Sequence, residues 1–291
     1  MDQTIVVGID GSSASRAAIR WAIERAQSTS DIVELLYVVD DEWGAVGDRF
    51  VSEMHPPSAH LLQHEIDYAI SLSSTVSISG RVLHGDPMVE LGDASNSATM
   101  VVLGTHKTGF IHGQAFGSRS LQLAAMAHAP VAVVPESSTR SRRGIVVGVD
   151  DSAAGWAAIL FGATESYRTG QQLTLLHAAL GEGGWDGSQV AGASSPHGGV
   201  ESRAIELAKS YGAVDPIRTR TVRRPAAEAL VDASAASALL VIGSSRRRAV
   251  NIAALGPVSH DVLLNLSGPV LVVHGDRAAQ VLQPTTQRRS A

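Results

Sequence analysis

IVVGID at residues 5–10 returns as IVVGVD at residues 145–150, 140 positions later. Two further stretches repeat in the same order. VVLG at 101–104 matches LVIG at 240–243, and PVAVV at 130–134 matches PVLVV at 269–273, both 139 positions apart. Three ordered matches at a nearly constant offset identify a tandem duplication. The polar stretch PESSTRSRR, 135–143, joins the copies and has the composition of a linker. The expected division is a first domain at 1–137, a linker at 138–143, a second domain at 144–275 and a disordered polar tail at 276–291. A chain of 291 residues suits two domains of ordinary size.

Each copy alternates short apolar runs with helical patterns. In the first copy, strands are expected at 4–9, 32–39, 76–83, 100–104 and 131–134, and helices at 14–27, 58–72, 87–97 and 117–127. The second copy repeats the strands near 144–149, 172–179, 217–223, 239–243 and 270–274. Runs such as TIVVG and MVVLG are apolar on both faces, as a parallel strand covered by helices on both sides must be. The fold class is therefore α/β: two tandem doubly wound domains.

Composition narrows the function. At 44% hydrophobic and 18% charged residues, the chain has a globular balance and is neither disordered nor collagen-like. No run approaches the roughly 18 apolar residues of a membrane span. The start, MDQTIVVGID, lacks the basic flank and long apolar stretch of a signal peptide, and a cytoplasmic location is expected. Cysteine is absent, which excludes disulfides, thiolate metal sites and cysteine nucleophiles. A net charge of −5 and 4% aromatics argue against a nucleic-acid groove or a base-stacking platform. The arginine clusters at 140–143 and 246–248 read as solvated loops. Neither a nucleic acid nor a membrane is expected as a partner.

In doubly wound sheets, ligands sit beyond the carboxyl ends of the strands. Asp10, Gly11 and Ser12 follow the first strand, and Gly85, Asp86 and Pro87 follow the third. GTHKTGFIHGQAFGSRS, 104–120, follows the fourth. Its glycines Gly104, Gly109, Gly113 and Gly117 let backbone N–H groups approach an anion. The helix expected after Gly117-Ser118 adds a positive end. Ser118 offers a hydroxyl, Lys107 and Arg119 offer charge, and His106 is the histidine best placed to touch a phosphate. The segment reads as a polyphosphate cradle or as a plain connection with a serine cap.

Across roughly residues 1–275 the chain resembles the universal stress protein family in its tandem two-domain form. The resemblance rests on VGIDGS, LLYVVD, HGDP and the strand–glycine loop–Gly-Ser–helix segment followed by PVAVVP. It implies a five-stranded, mainly parallel sheet of order 3-2-1-4-5 in each half. It also implies ATP as ligand, often with Mg2+ or Mn2+. ATP-binding members carry Gly-x-x-Gly, nine residues, then Gly-Ser or Gly-Thr. Gly104 and Gly117-Ser118 fill the outer positions, and Lys107 replaces the second glycine. By position, Asp10 would contact the adenosine, Val38 would bond adenine through its backbone, and Gly85 would line the pocket. Gly104, Lys107, Gly117, Ser118 and Arg119 would hold ribose and phosphates. The second half keeps Asp150, Ala178, Gly243 and Gly256 at matching places. There Arg246 replaces the second glycine, Pro257 the serine and Arg223 the pocket glycine. The resemblance also implies association through PVAVV and PVLVV, within the chain and in a homodimer.

Competing motifs fall away. No GxxxxGK or GxSxG pattern occurs. GEGGWDG, 181–187, runs on into a polar stretch rather than a helix and reads as a loop. His60 and His64, with His55 nearby, lack a third ligand and read as a helix surface. Trp21 and Trp156 read as core. A nucleotide-responsive regulatory protein with at most slow hydrolysis leads the functional readings. AMP or cyclic AMP as ligand, a scaffold that binds no nucleotide, and an adenine-nucleotide enzyme are the alternatives.

Overall fold

The computed structural model describes residues 3–40, 47–106, 119–136, 142–178, 199–244, 247–249 and 252–275. The first half runs β1 (Thr4–Ile9), α1 (Ser13–Thr29), β2 (Ile32–Val39), α2 (Gly47–Leu72), β3 (Ile78–His84), α3 (Pro87–Ala94), β4 (Met100–Thr105), α4 (Arg119–Met126) and β5 (Val131–Pro135). The second half runs β6 (Ile145–Gly148), α5 (Ala153–Thr169), β7 (Gln172–Ala178), α6 (Val200–Ser210), β8 (Val214–Val222), α7 (Ala226–Ala236) and β9 (Leu239–Ser244). It ends with β10 (Arg247–Ala249), β11 (Ile252–Ala254), α8 (Pro257–Leu264) and β12 (Val270–His274).

Ten strands form one sheet in the order β3-β2-β1-β4-β5-β12-β9-β6-β7-β8. Each half has the expected order 3-2-1-4-5, and its strands are parallel. The halves join where β5 and β12 pair antiparallel, Val270 opposite Val133 and Val272 opposite Val131. The two PV-initiated strands thus cover each other's edge, which removes an aggregation-prone flank from each half.

The strands are apolar on both faces because both are covered. Ile5, Val7 and Ile9 pack on one side with α1, α2, α5 and α6. Val6 and its neighbours pack on the other with Leu91 of α3, Leu123 of α4, Leu230 of α7 and Val262 of α8. Trp21 and Trp156 pack against the first of these layers.

A buried ionic cluster ties α1 to α5 across the pseudo-twofold axis. The Arg25 guanidinium donates to both Glu165 oxygens at 2.9 and 2.7 Å and to Asp31. Arg168 donates to Asp31 at 2.6 Å. The 140-residue offset makes Arg25 and Glu165 equivalent positions, so the duplicated site has diverged into opposite charges. Burial opposes the charge on Arg25, but Glu165 and then Asp31 more than compensate, and its pKa rises.

Two expectations need correction. The arginine clusters are not simply solvated loops. Arg142 donates to the carbonyls of Ala235 and Ser267, at 3.2 and 2.7 Å, which pins the end of the linker to the second half. Arg247 and Arg248 lie in the β10–β11 hairpin, at the place of the first half's glycine loop. Residues 181–187, the linker residues 137–141 and the tail at 276–291 lie outside the described residues.

Candidate functional site

A cleft opens at the carboxyl ends of β1, β2 and β4, on the side reached by the first turns of α1 and α4. This is the switch point of the first half, where the chain leaves β1 in one direction and β4 in the other. Ile9 and Asp10 contribute from β1, Val38 from β2, and Gly104 and His106 from β4. Ser12 and Ser15 come from the start of α1, and Arg119 and Ser120 from the start of α4. Leu36, Leu103, Met88 and Leu91 form an apolar wall. The cleft therefore combines apolar area with hydroxyl, imidazole, carboxylate and guanidinium groups.

Local sequence explains the polar groups. Asp10 accepts from the Ser12 N–H at 3.0 Å, an Asx-type turn that reverses the chain after β1. Gly11 supplies φ of +78° for that turn. Ser12 then caps α1, accepting from the Ser15 N–H at 3.1 Å. Burial opposes ionisation of Asp10, but the hydrogen bonds from Ser12 and the charge of His106 outweigh it. The carboxyl is held below its ordinary 3.8. Because the folded value lies below the unfolded one, its contribution to stability is present above about pH 4 and is lost as pH falls through the folded value. Asp10→Asn is expected to flatten the acid limb of a Tm-against-pH curve below pH 4; an unchanged limb would rule out this carboxylate as its source.

Gly104 has a packing reason as well as a place in the cleft. A Cβ built on it would lie 2.0 Å from the Ala14 carbonyl oxygen, so only glycine lets α1 seat against β4. Gly243 repeats this in the second half, with a Cβ 2.2 Å from the Ala154 oxygen. His106 sits at the cleft rim with Nδ1 2.9 Å from Glu136 Oε2. Glu136, first residue after β5, is held below its ordinary value by Ser13 and then His106. That contact orients the imidazole. Arg119 stands 3.9 Å from Asp40.

The structure thus brings Asp10, Val38, Gly104, His106 and Arg119 together. Gly11 and Gly85 do not line the cleft. Gly85 instead holds φ of +140° ahead of Asp86, which caps α3 by accepting from Met88 N at 2.7 Å. Lys107, Gly109, His112, Gly113, Gly117 and Ser118 lie outside the described residues. Sequence reading missed Ser15, Ser120 and the Met88–Leu91 wall, although Pro87 after Asp86 marked the start of that helix. It also missed Glu136, whose approach to His106 is purely tertiary. His60 and His64 lie on α2 away from the cleft, with His64 against Arg16 and Glu65. Among the described residues, no three His, Asp or Glu side chains gather as a metal site.

The second half arranges its counterpart differently. Asp150 is engaged by Ser152, from N at 3.1 Å and Oγ at 2.6 Å. The Gly256 N–H is directed to Ser244 Oγ at 3.3 Å, and Pro257 opens α8 without an N–H. Two donors that could meet a phosphate are thus spent or missing. Ala178 ends β7, Arg223 is exposed beyond β8, and Arg246 lies outside the described residues.

Two copies of a doubly wound α/β unit, joined edge to edge in one sheet, define a duplicated α/β protein. The universal stress protein family model matches residues 1–135 and again 141–274. The chain belongs to the universal stress protein family. It is 30% identical to Universal stress protein Rv1996 of Mycobacterium tuberculosis, over 92% of this chain and 94% of that one. It is 26% identical to a universal stress protein of Mycolicibacterium smegmatis, over 92% and 96%. The crystal structure of a universal stress protein from Archaeoglobus fulgidus shares the fold, with a TM-score of 0.74 at 17% identity, covering 94% of this chain and 98% of that one.

Proposed function

We propose that this chain is a nucleotide-responsive regulatory protein that binds ATP in its first half. The observation that carries this reading is the mixed lining of the cleft. Apolar Leu36, Met88, Leu91 and Leu103 suit a purine, and Asp10, His106 and Arg119 suit ribose and phosphate. Ligand pockets of this kind join apolar area to a few placed polar groups. Gly117-Ser118, Lys107 and Gly109 lie between His106 and Arg119 in sequence, and the family resemblance would assign them to ribose and phosphates. Mg2+ or Mn2+ would arrive with the phosphates. The sequence carries no identifiable general base or water-positioning motif for hydrolysis, and turnover in this reading is slow at most. The second half binds more weakly or not at all, because Gly256 and Pro257 no longer present donors. The division at 1–137, 138–143 and 144–275 and a cytoplasmic location belong to the same reading. A homodimer would use a surface other than β5 and β12, since these already cover each other.

The test is to purify the protein without added nucleotide, denature it, and identify what is released by mass and stoichiometry. About one ATP per chain is expected, and Asp10→Asn or Arg119→Ala should reduce it at least fivefold. Release of AMP or cyclic AMP instead would change the ligand and keep the site. No release, with no heat on titrating millimolar ATP and magnesium, AMP or cyclic AMP, would leave the scaffold reading.

A further inference from the structure

α4 ends at Met126, and the last carbonyls of a helix have no partner within it. Here the following backbone does not supply one for Ala124. Ala127 N closes onto Leu123 O at 2.8 Å, and His128 N turns away to Ser95 Oγ at 2.8 Å. The Ala124 carbonyl meets the second half instead: His274, at the end of β12, places Nε2 2.7 Å from it. The ring is buried, and its Nδ1 lies 3.2 Å from the Ser244 carbonyl. Both ring nitrogens thus face carbonyl oxygens, which only accept, and Nε2 makes the shorter contact. β11 packs on the same helix.

The duplication supplies an internal control. At the 139-residue offset His274 corresponds to Pro135, and Ala124 corresponds to Leu263. The ring of Pro135 has no donor, so the reciprocal bond from the first half to α8 cannot form. The support runs one way. It runs from the half whose phosphate donors are spent to the half whose cleft is intact.

We propose that His274 is a positioning residue for the first-half nucleotide site. By holding α4 through Ala124, it fixes where Arg119 and Ser120, at the start of the same helix, meet a phosphate. The second half is then the part of the chain that sets the phosphate affinity of the first. This rests on the nucleotide reading above.

Two variants of the full chain separate the bond from mere packing. In His274→Gln the amide nitrogen overlays Nε2 and still reaches Ala124. In His274→Asn it overlays Nδ1 and does not. ATP and adenosine are titrated calorimetrically against both variants and the wild type. His274→Asn should weaken ATP about three- to tenfold, the size of one lost hydrogen bond, with adenosine unchanged. His274→Gln should stay within about twofold of wild type for both ligands. Equal ATP-to-adenosine ratios in all three proteins would overturn the positioning role while leaving the nucleotide site standing. Equal losses of ATP and adenosine in both variants would do the same, reducing His274 to a packing residue. A wild-type protein that binds neither ligand would overturn the nucleotide reading itself and this proposal with it.

Discussion

Gly104→Ala should lower Tm by about 6–12 °C, as expected for a cost of about 3 kcal/mol, and abolish ATP binding. The added Cβ would lie 2.0 Å from Ala14 O, 2.2 Å from Ala14 C and 2.7 Å from Ser15 N. All three are backbone atoms, so no side chain can rotate away. The start of α1 must move off β4, and Ser12 and Ser15 move with it out of the cleft. Gly92→Ala is the control. Its Cβ would meet only the Met126 side chain, Cε at 3.5 Å and Cγ at 3.9 Å, ordinary contacts, inside α3, where alanine is the better helix former. Thermal unfolding of both variants checks the argument. A Gly104→Ala protein as stable as wild type would mean that α1 is not seated by this contact.

Glu165→Ala should be as damaging, through charge rather than volume. It leaves Arg25, only 6% exposed, with Asp31 alone, and Asp31 is already shared with Arg168. Removing one member of a buried ion cluster costs about 3–5 kcal/mol, because the remaining charge stays desolvated. The expected fall in Tm is on the order of 10 °C. Arg25→Met/Glu165→Met should recover most of it, since apolar side chains of similar length need no partner and the Asp31–Arg168 pair survives. A double variant as unstable as the single one would mean that the pair contributes more than it costs to bury. The cluster has a second effect. Two first halves facing each other would bring Arg25 against its own copy, so the divergence to Glu165 favours pairing of first half with second.

The strands were legible because burial on both faces leaves an unbroken apolar run, as in TIVVG and MVVLG. Gly104 was legible because a glycine at a strand end is conspicuous. Its main physical reason, the approach of Ala14, was not, since no local pattern encodes a neighbouring helix. The same holds for Glu136 beside His106 and His274 beside Ala124, pairs 30 and 150 residues apart. β8 begins at Val214 rather than near 217 because its early residues are polar and sit at an edge, where the apolar rule relaxes. The β10–β11 hairpin escaped notice because RRA and IAA lack strand character, and pairing with each other supplies what propensity does not.

The antiparallel join of β5 to β12 also governs how the polypeptide can be threaded. It turns the second half upside down relative to the first, so β5 ends on the sheet edge where β6 begins. Three strand spacings, about 14 Å, separate them. The same spacing separates the end of β12 from the start of β1 on the opposite edge. The two crossings are alike, so the structure has no preferred first half. Cutting between β5 and β6 and linking His274 to Thr4 by a segment as long as the present linker would give a circular permutant with the same sheet. Which half the ribosome makes first is a matter of history, not of packing.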